Sequence, residues 1–183
     1  MSKALLIVDI QNDYFPGGRM ELAGSAQAGQ RAKALLEAFR AHALPVIHVQ
    51  HVSTRAGASF FLPETEGVKI NEAVQPAPGE AVVVKHFPNA FRETTLADEL
   101  GKHGVRELTV AGMMTHMCVD ATTRAAADAG YTVTLAHDAC ATRDQAFGGV
   151  AVPAAQVHAA FLAALNGAYA KVVSADEAAR ALG

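Results

Sequence analysis

A chain of 183 residues, 51% apolar and 18% charged, is long enough for one domain (1–183) around a single hydrophobic core and too apolar to be disordered. Its formal charge of -3, with 15 Lys and Arg spread along the chain, supplies no basic stripe and argues against nucleic acid as a partner. Two cysteines outside any Cys-x-x-Cys spacing suggest neither a disulfide framework nor a zinc knuckle; with no apolar stretch of membrane-spanning length, they point to a reducing cytoplasm and no membrane partner.

The first apolar run, residues 4–8, is too short for a secretory core and stops at Asp9, so it reads as a strand. Over 25–42, Leu, Ala and Phe recur every three or four residues, the spacing of a helix. A second run at 45–49 precedes the segment 53–78, whose Gly57, Pro63, Gly67, Pro76 and Pro78 mark a long surface excursion of the kind that usually carries function. Runs at 81–84, 107–111, 131–136 and 171–173 then alternate with helical stretches at 96–103, 119–129 and 153–164. Ser174 and Glu177 form a capping box for a last short helix. The runs lack polar alternation, as parallel strands buried on both faces do. Strand and helix alternating in this way predict an α/β fold, a doubly wound three-layer α/β/α sandwich.

In such sheets ligands bind beyond the carboxyl ends of the strands. Asp9 closes the first run, Lys85 the third, and Cys118 ends the segment 112–118 that follows the fourth, just before a helix. A helix start favours an anion and lowers a thiol from its ordinary value of about 8.5, which makes a cysteine nucleophilic. Its free N–H groups also suit an oxyanion, each such donor being worth roughly 2.7–4 kcal/mol of barrier. Asp9, flanked by Leu6, Ile7, Val8 and Ile10, is expected to be partly desolvated and a proton acceptor, with Lys85 keeping it ionised. Taken singly, Cys118 reads equally as core filler, Asp9 as a turn cap and Lys85 as a solvated lysine. Their meeting at one sheet edge favours chemistry.

Three stretches, V-D-I-Q-N-D-Y-F at 8–15, K-H-F-P-N-A-F at 85–91 and G-M-M-T-H-M-C-V at 112–119, resemble in order and separation the signatures of the isochorismatase-like cysteine hydrolases, which include the nicotinamidase-related amidases. Further likeness at 60–67, 124–131 and 137–144 extends the resemblance over nearly the whole chain. The resemblance implies a six-stranded parallel sheet of order 3-2-1-4-5-6 and a catalytic triad of Asp9, Lys85 and Cys118. Lys85 would then have to reach inward across two strand spacings, roughly 9.6 Å. It also implies a cis peptide at Met113–Met114, an oxyanion hole made by the backbone N–H groups of Met114 and Cys118, and a homo-oligomer of two or more copies. In the implied reaction, Asp9 takes the thiol proton, the thiolate attacks the carbonyl of a small-molecule amide, the amine leaves, and water hydrolyses the thioester.

Phe15, Gln50, His51, Phe87, Phe91 and His116 are the candidates for lining the substrate pocket, with core packing the alternative for the phenylalanines. Metal-dependent nicotinamidases carry Asp-x-His and a further His after the second strand, whereas this chain reads His48, Val49, Gln50, His51 there, so no catalytic metal and no cofactor are expected. Met113 and Met114 stand where relatives often place smaller residues, and Cys140 is expected to be a buried structural thiol. Two other readings compete with amide hydrolysis: a vinyl ether hydrolase of the isochorismatase type that needs no cysteine, and a noncatalytic binding module on the same fold. A nucleotide site is disfavoured because Asp9 to Tyr14 occupy the turn where a Gly-x-Gly-x-x-Gly would follow the first strand.

Overall fold

Continuous Val, Ile and Leu runs form parallel strands here because the central ones are covered on both faces, while the edge run at 81–85 leaves Val82 and Val84 exposed. In the computed structural model, which describes residues 2–183, strands β1 (Ser2–Val8), β2 (Val46–His51), β3 (Ala81–Lys85), β4 (Val105–Met113), β5 (Thr132–Ala141) and β8 (Lys171–Val173) build one sheet of order β3-β2-β1-β4-β5-β8. Every neighbouring pair is parallel. This is the implied order 3-2-1-4-5-6. The sixth sheet strand is β8 only because a small antiparallel hairpin, β6 (Gln145–Phe147) with β7 (Val150–Val152), intervenes; its Gly148-Gly149 turn, both residues at positive φ, was the sequence signal for it.

The helices are α1 (Ser25–Ala41), α2 (Leu96–Lys102), α3 (Asp120–Asp128), α4 (Ala154–Leu165) and α5 (Ala175–Arg180), the last capped by the expected Ser174/Glu177 box. The two-residue period of β1 sorts the core. Leu5 and Ile7 pack with Leu35, Leu36 and Phe39 of α1 and Ala175 and Ala178 of α5; Ala4, Leu6 and Val8 pack with Leu96 of α2, Ala126 of α3 and Leu165 of α4. Strand β5 runs on to Ala141 rather than ending at 136. Its register on β4 breaks between Val110 and Gly112, so 137–141 belong to the sheet and not to a loop.

Strands β1 and β4 lie side by side at the switch point, and their close approach at the upper end depends on Gly112. Its φ is +150°, and a Cβ there would stand 2.1 Å from Val8 O. Gly112→Ala is therefore expected to destabilise the protein by about 3 kcal/mol, from overpacking and backbone strain together, as read from chemical denaturation.

The excursion 53–78 is tied down by the turn after β1. Buried Gln11 donates its amide to His51 O and Val68 O and accepts from His51 N–H, while the buried Asp13 carboxylate accepts from Phe61 N–H (2.6 Å) and Arg19 N–H (3.2 Å). Two more bonds, Asp13 N–H to Gly67 O and Ser53 N–H to Phe61 O, fold the excursion back over Tyr14.

Candidate active site

Asp9 leaves β1 with φ of 51°, a left-handed conformation that Asp tolerates better than bulkier residues, while its N–H still donates to Val49 O. The side chain is fully buried. Lys85 ends β3 opposite His51 of β2, and its equally buried side chain spans the gap to β1. Its ammonium lies 2.7 Å from Asp9 Oδ2, 2.9 Å from His51 Nδ1, 3.1 Å from Phe87 O and 3.2 Å from Cys118 Sγ. The Asp9 contact is an ion pair lacking hydrogen-bond alignment, so both carboxylate oxygens keep unused acceptor capacity. That is the condition of a base waiting for a proton.

Cys118 lies in a π-type helical turn, Thr115–Val119, that joins β4 to α3; Met114 O accepts from Met117 and Val119 N–H at its base, and the Met113–Met114 peptide is cis. The thiol therefore sits inside a wound turn, 6% exposed, and not at the first position of α3. Burial pushes it up, the Asp9 carboxylate adds to the rise, and the Lys85 ammonium offsets only part of it. The lowering expected from a helix start is not found: the residue lies inside the turn and not at the start of α3, and burial and a neighbouring anion push the thiol up. Burial and the neighbouring carboxylate thus favour the neutral thiol. For Lys85, burial favours the neutral amine, but the Asp9 carboxylate overcomes it and holds the ammonium.

His51 is pushed down to about 4, by burial first and the Lys85 ammonium second, and its Nδ1 accepts a hydrogen bond from that ammonium. The unfolded chain protonates this histidine below about 6.5 and the folded chain only below about 4, so folded stability falls as pH drops through that window. His51→Gln is expected to flatten the dependence of the thermal midpoint on pH between 6.5 and 4 without abolishing it, since burial also lowers His48 and His158.

A cavity of about 400 Å³ opens onto Cys118. Of the residues expected to line it, His51 and Phe87 do, together with Met114 and Cys118. Four others lie elsewhere. Phe15 packs over Gly29 of α1; Gln50 donates its amide to Val68 O; Phe91 stacks on Tyr131; and His116 bonds Thr142 and meets the edge of Phe161. Each aromatic found a neighbour in the core or on a helix, and Gln50 a carbonyl of the excursion. The walls sequence reasoning missed are Tyr14, Phe60 and Met117, with Arg55 and His86 adding basic side chains. Tyr14 directly precedes the misassigned Phe15 within the first signature stretch, so the signal was one residue away. Its hydroxyl is held protonated, by burial and then by the nearby Cys118 and Asp9.

The nicotinamidase-type metal set needs several donors converging after β2. Buried His48 instead bonds Glu80 at 2.9 Å, Gln50 is turned to Val68, and of the three only His51 reaches the site, so these positions do not fit that metal. Cys140 lies in β5, donates to Ala136 O, and is pushed up to about 12 by burial. Limiting iodoacetamide is expected to label Cys118 before Cys140, because the Lys85 ammonium beside Cys118 favours its thiolate whereas Cys140, on a separate pocket, donates to a carbonyl; equal labelling in a peptide map would contradict this.

The chain is similar to known proteins over nearly all its length. The isochorismatase family YddQ protein of Bacillus subtilis (strain 168) is 51% identical over 176 residues, which are 96% of this chain and 98% of that one. Nicotinamidase 3 of Arabidopsis thaliana is 27% identical over 191 residues, covering 98% of this chain and 88% of its own. A crystal structure from Oleispira antarctica, described as an isochorismatase hydrolase, superposes with a TM-score of 0.95 at 50% identity and covers 98% of this chain and 96% of its own. With the isochorismatase domain model matching residues 3–177, on a sheet of the implied order, the chain belongs to the isochorismatase family of hydrolases.

Proposed function

We propose that the protein hydrolyses the C–N bond of a small-molecule amide through a thioester on Cys118, without a catalytic metal. The observation that carries this reading is the buried cluster in which one ammonium touches a carboxylate, a thiol and a neutral imidazole at the floor of a cavity. A carboxylate with free acceptor capacity within reach of a thiol can take its proton, and the adjacent ammonium keeps that carboxylate charged until it does. The thiolate attacks the amide carbonyl, the backbone N–H groups of Met114 and Cys118 hold the oxyanion, and Asp9 returns the proton to the departing amine. Water, deprotonated by the same carboxylate, then cleaves the thioester. The similarity to a protein named nicotinamidase supports an amide rather than a vinyl ether as substrate.

The walls favour a small acyl group with an apolar body: Tyr14, Phe60, Phe87, Met114 and Met117 surround the thiol, and His51 and the Tyr14 hydroxyl supply polar edges. A panel of small amides assayed for ammonia or amine release, with and without chelator, tests the proposal. Release that is indifferent to chelator supports it, and strong inhibition by chelator would overturn the metal-free mechanism.

A further inference from the structure

We propose that Asp9, His51 and Cys118 are three ligands of a latent site for a thiophilic divalent cation, and that the Lys85 ammonium is the cation that fills it in the native chain. Their donor atoms, one carboxylate oxygen, one imidazole nitrogen and one sulfur, all lie within 4.8 Å of one another. This is a donor set that zinc accepts, with the cavity side left open for water as a fourth ligand. The Lys85 ammonium stands among them, at 2.7, 2.9 and 3.2 Å. Zinc bonds of about 2.0–2.3 Å would ask each donor to close in by only about 0.6–0.9 Å.

A second, separate observation points the same way: Asp9 is fully buried, yet neither carboxylate oxygen has an aligned hydrogen-bond donor. A cation that binds without directional N–H geometry would satisfy them. Charge explains why the native chain resists it. Carboxylate, ammonium and thiol sum to zero, and zinc added beside the ammonium would leave a buried excess of positive charge with no outlet for Lys85. With the ammonium removed, carboxylate and thiolate balance the ion: Zn²⁺ replaces the thiol proton, the S–H bond breaks as the S–Zn bond forms, and the proton leaves to solvent. The inference stands apart from amide hydrolysis, since it requires no turnover.

Lys85→Met tests it, with Co²⁺ as the optical probe and Zn²⁺ as competitor. The variant is expected to bind one Co²⁺ with a thiolate-to-cobalt charge-transfer band that zinc abolishes. Lys85→Met/Cys118→Ala should lose the band, and the native chain should bind at least about 100-fold more weakly. Zinc should also raise the thermal midpoint of Lys85→Met but not that of the native chain. A folded Lys85→Met without the band, or a native chain that binds equally well, overturns the site. If Lys85→Met does not fold alone, zinc but not magnesium should recover it on refolding, and a chain that stays unfolded in zinc contradicts the proposal equally.

Discussion

Cys118→Ala is expected to lower amide turnover by about 10⁴-fold or more while leaving the fold in place. The thiol touches Lys85 and opens onto the cavity, and without it the oxyanion donors and the cavity can hold a substrate but not open it. The structural cost is small because only the sulfur atom is deleted and the Asp9–Lys85 pair stays intact; a loss of about 1 kcal/mol is the scale for one buried atom. Circular dichroism and a denaturation curve would separate the two effects. The same variant sorts the competing mechanisms. A vinyl ether hydrolase driven by proton donation from Asp9 would keep its activity on its own substrate, and a binding module would keep its affinity and never have had turnover.

Asp9→Ala carries the largest expected effect on stability. It strands a fully buried ammonium, and breaking a buried pair in this way costs about 3–5 kcal/mol. For a chain of this size that is a fall of roughly 10 °C or more in thermal midpoint. Lys85→Met strands the carboxylate instead and should cost about as much by the same reasoning. Combining Asp9→Ala with Lys85→Met removes both charges, so the double variant should be more stable than the sum of the single losses predicts. In the proposed mechanism all of these variants should be inactive, since each removes either the proposed base or the group that would keep it charged. Simple additivity in stability would mean that the pair is screened, contrary to its complete burial.

The sheet was legible in the sequence because the central strands, buried on both faces, leave unbroken Val, Ile and Leu runs, because the half-exposed edge strand at 81–85 is also rich in Val, and because Asp9, Lys85 and Cys118 stand at or beyond the ends of such runs. The three-residue spacing of Ser174 and Glu177 also yielded the capping box. The cavity walls were not legible. Tyr14 and Phe60 are brought there by buried Gln11 and Asp13, which clamp the excursion through backbone atoms, and such bonds leave no periodic trace. Phe15 and Phe91 share the composition of wall residues but meet Gly29 and Tyr131, and aromatic character does not distinguish a cavity from a core. The thiol was misjudged for a different reason: a helix-start argument counts the dipole and omits desolvation, which at 6% exposure dominates.

The central claim is a covalent bond between substrate acyl group and Cys118, and acid-quenched mass spectrometry during amide turnover tests it most directly. The mechanism predicts a mass increase equal to the acyl fragment, mapped to the peptide carrying Cys118 and absent from Cys118→Ala. Amide turnover that persists in Cys118→Ala, or an adduct mapped to Cys140 instead, would contradict it.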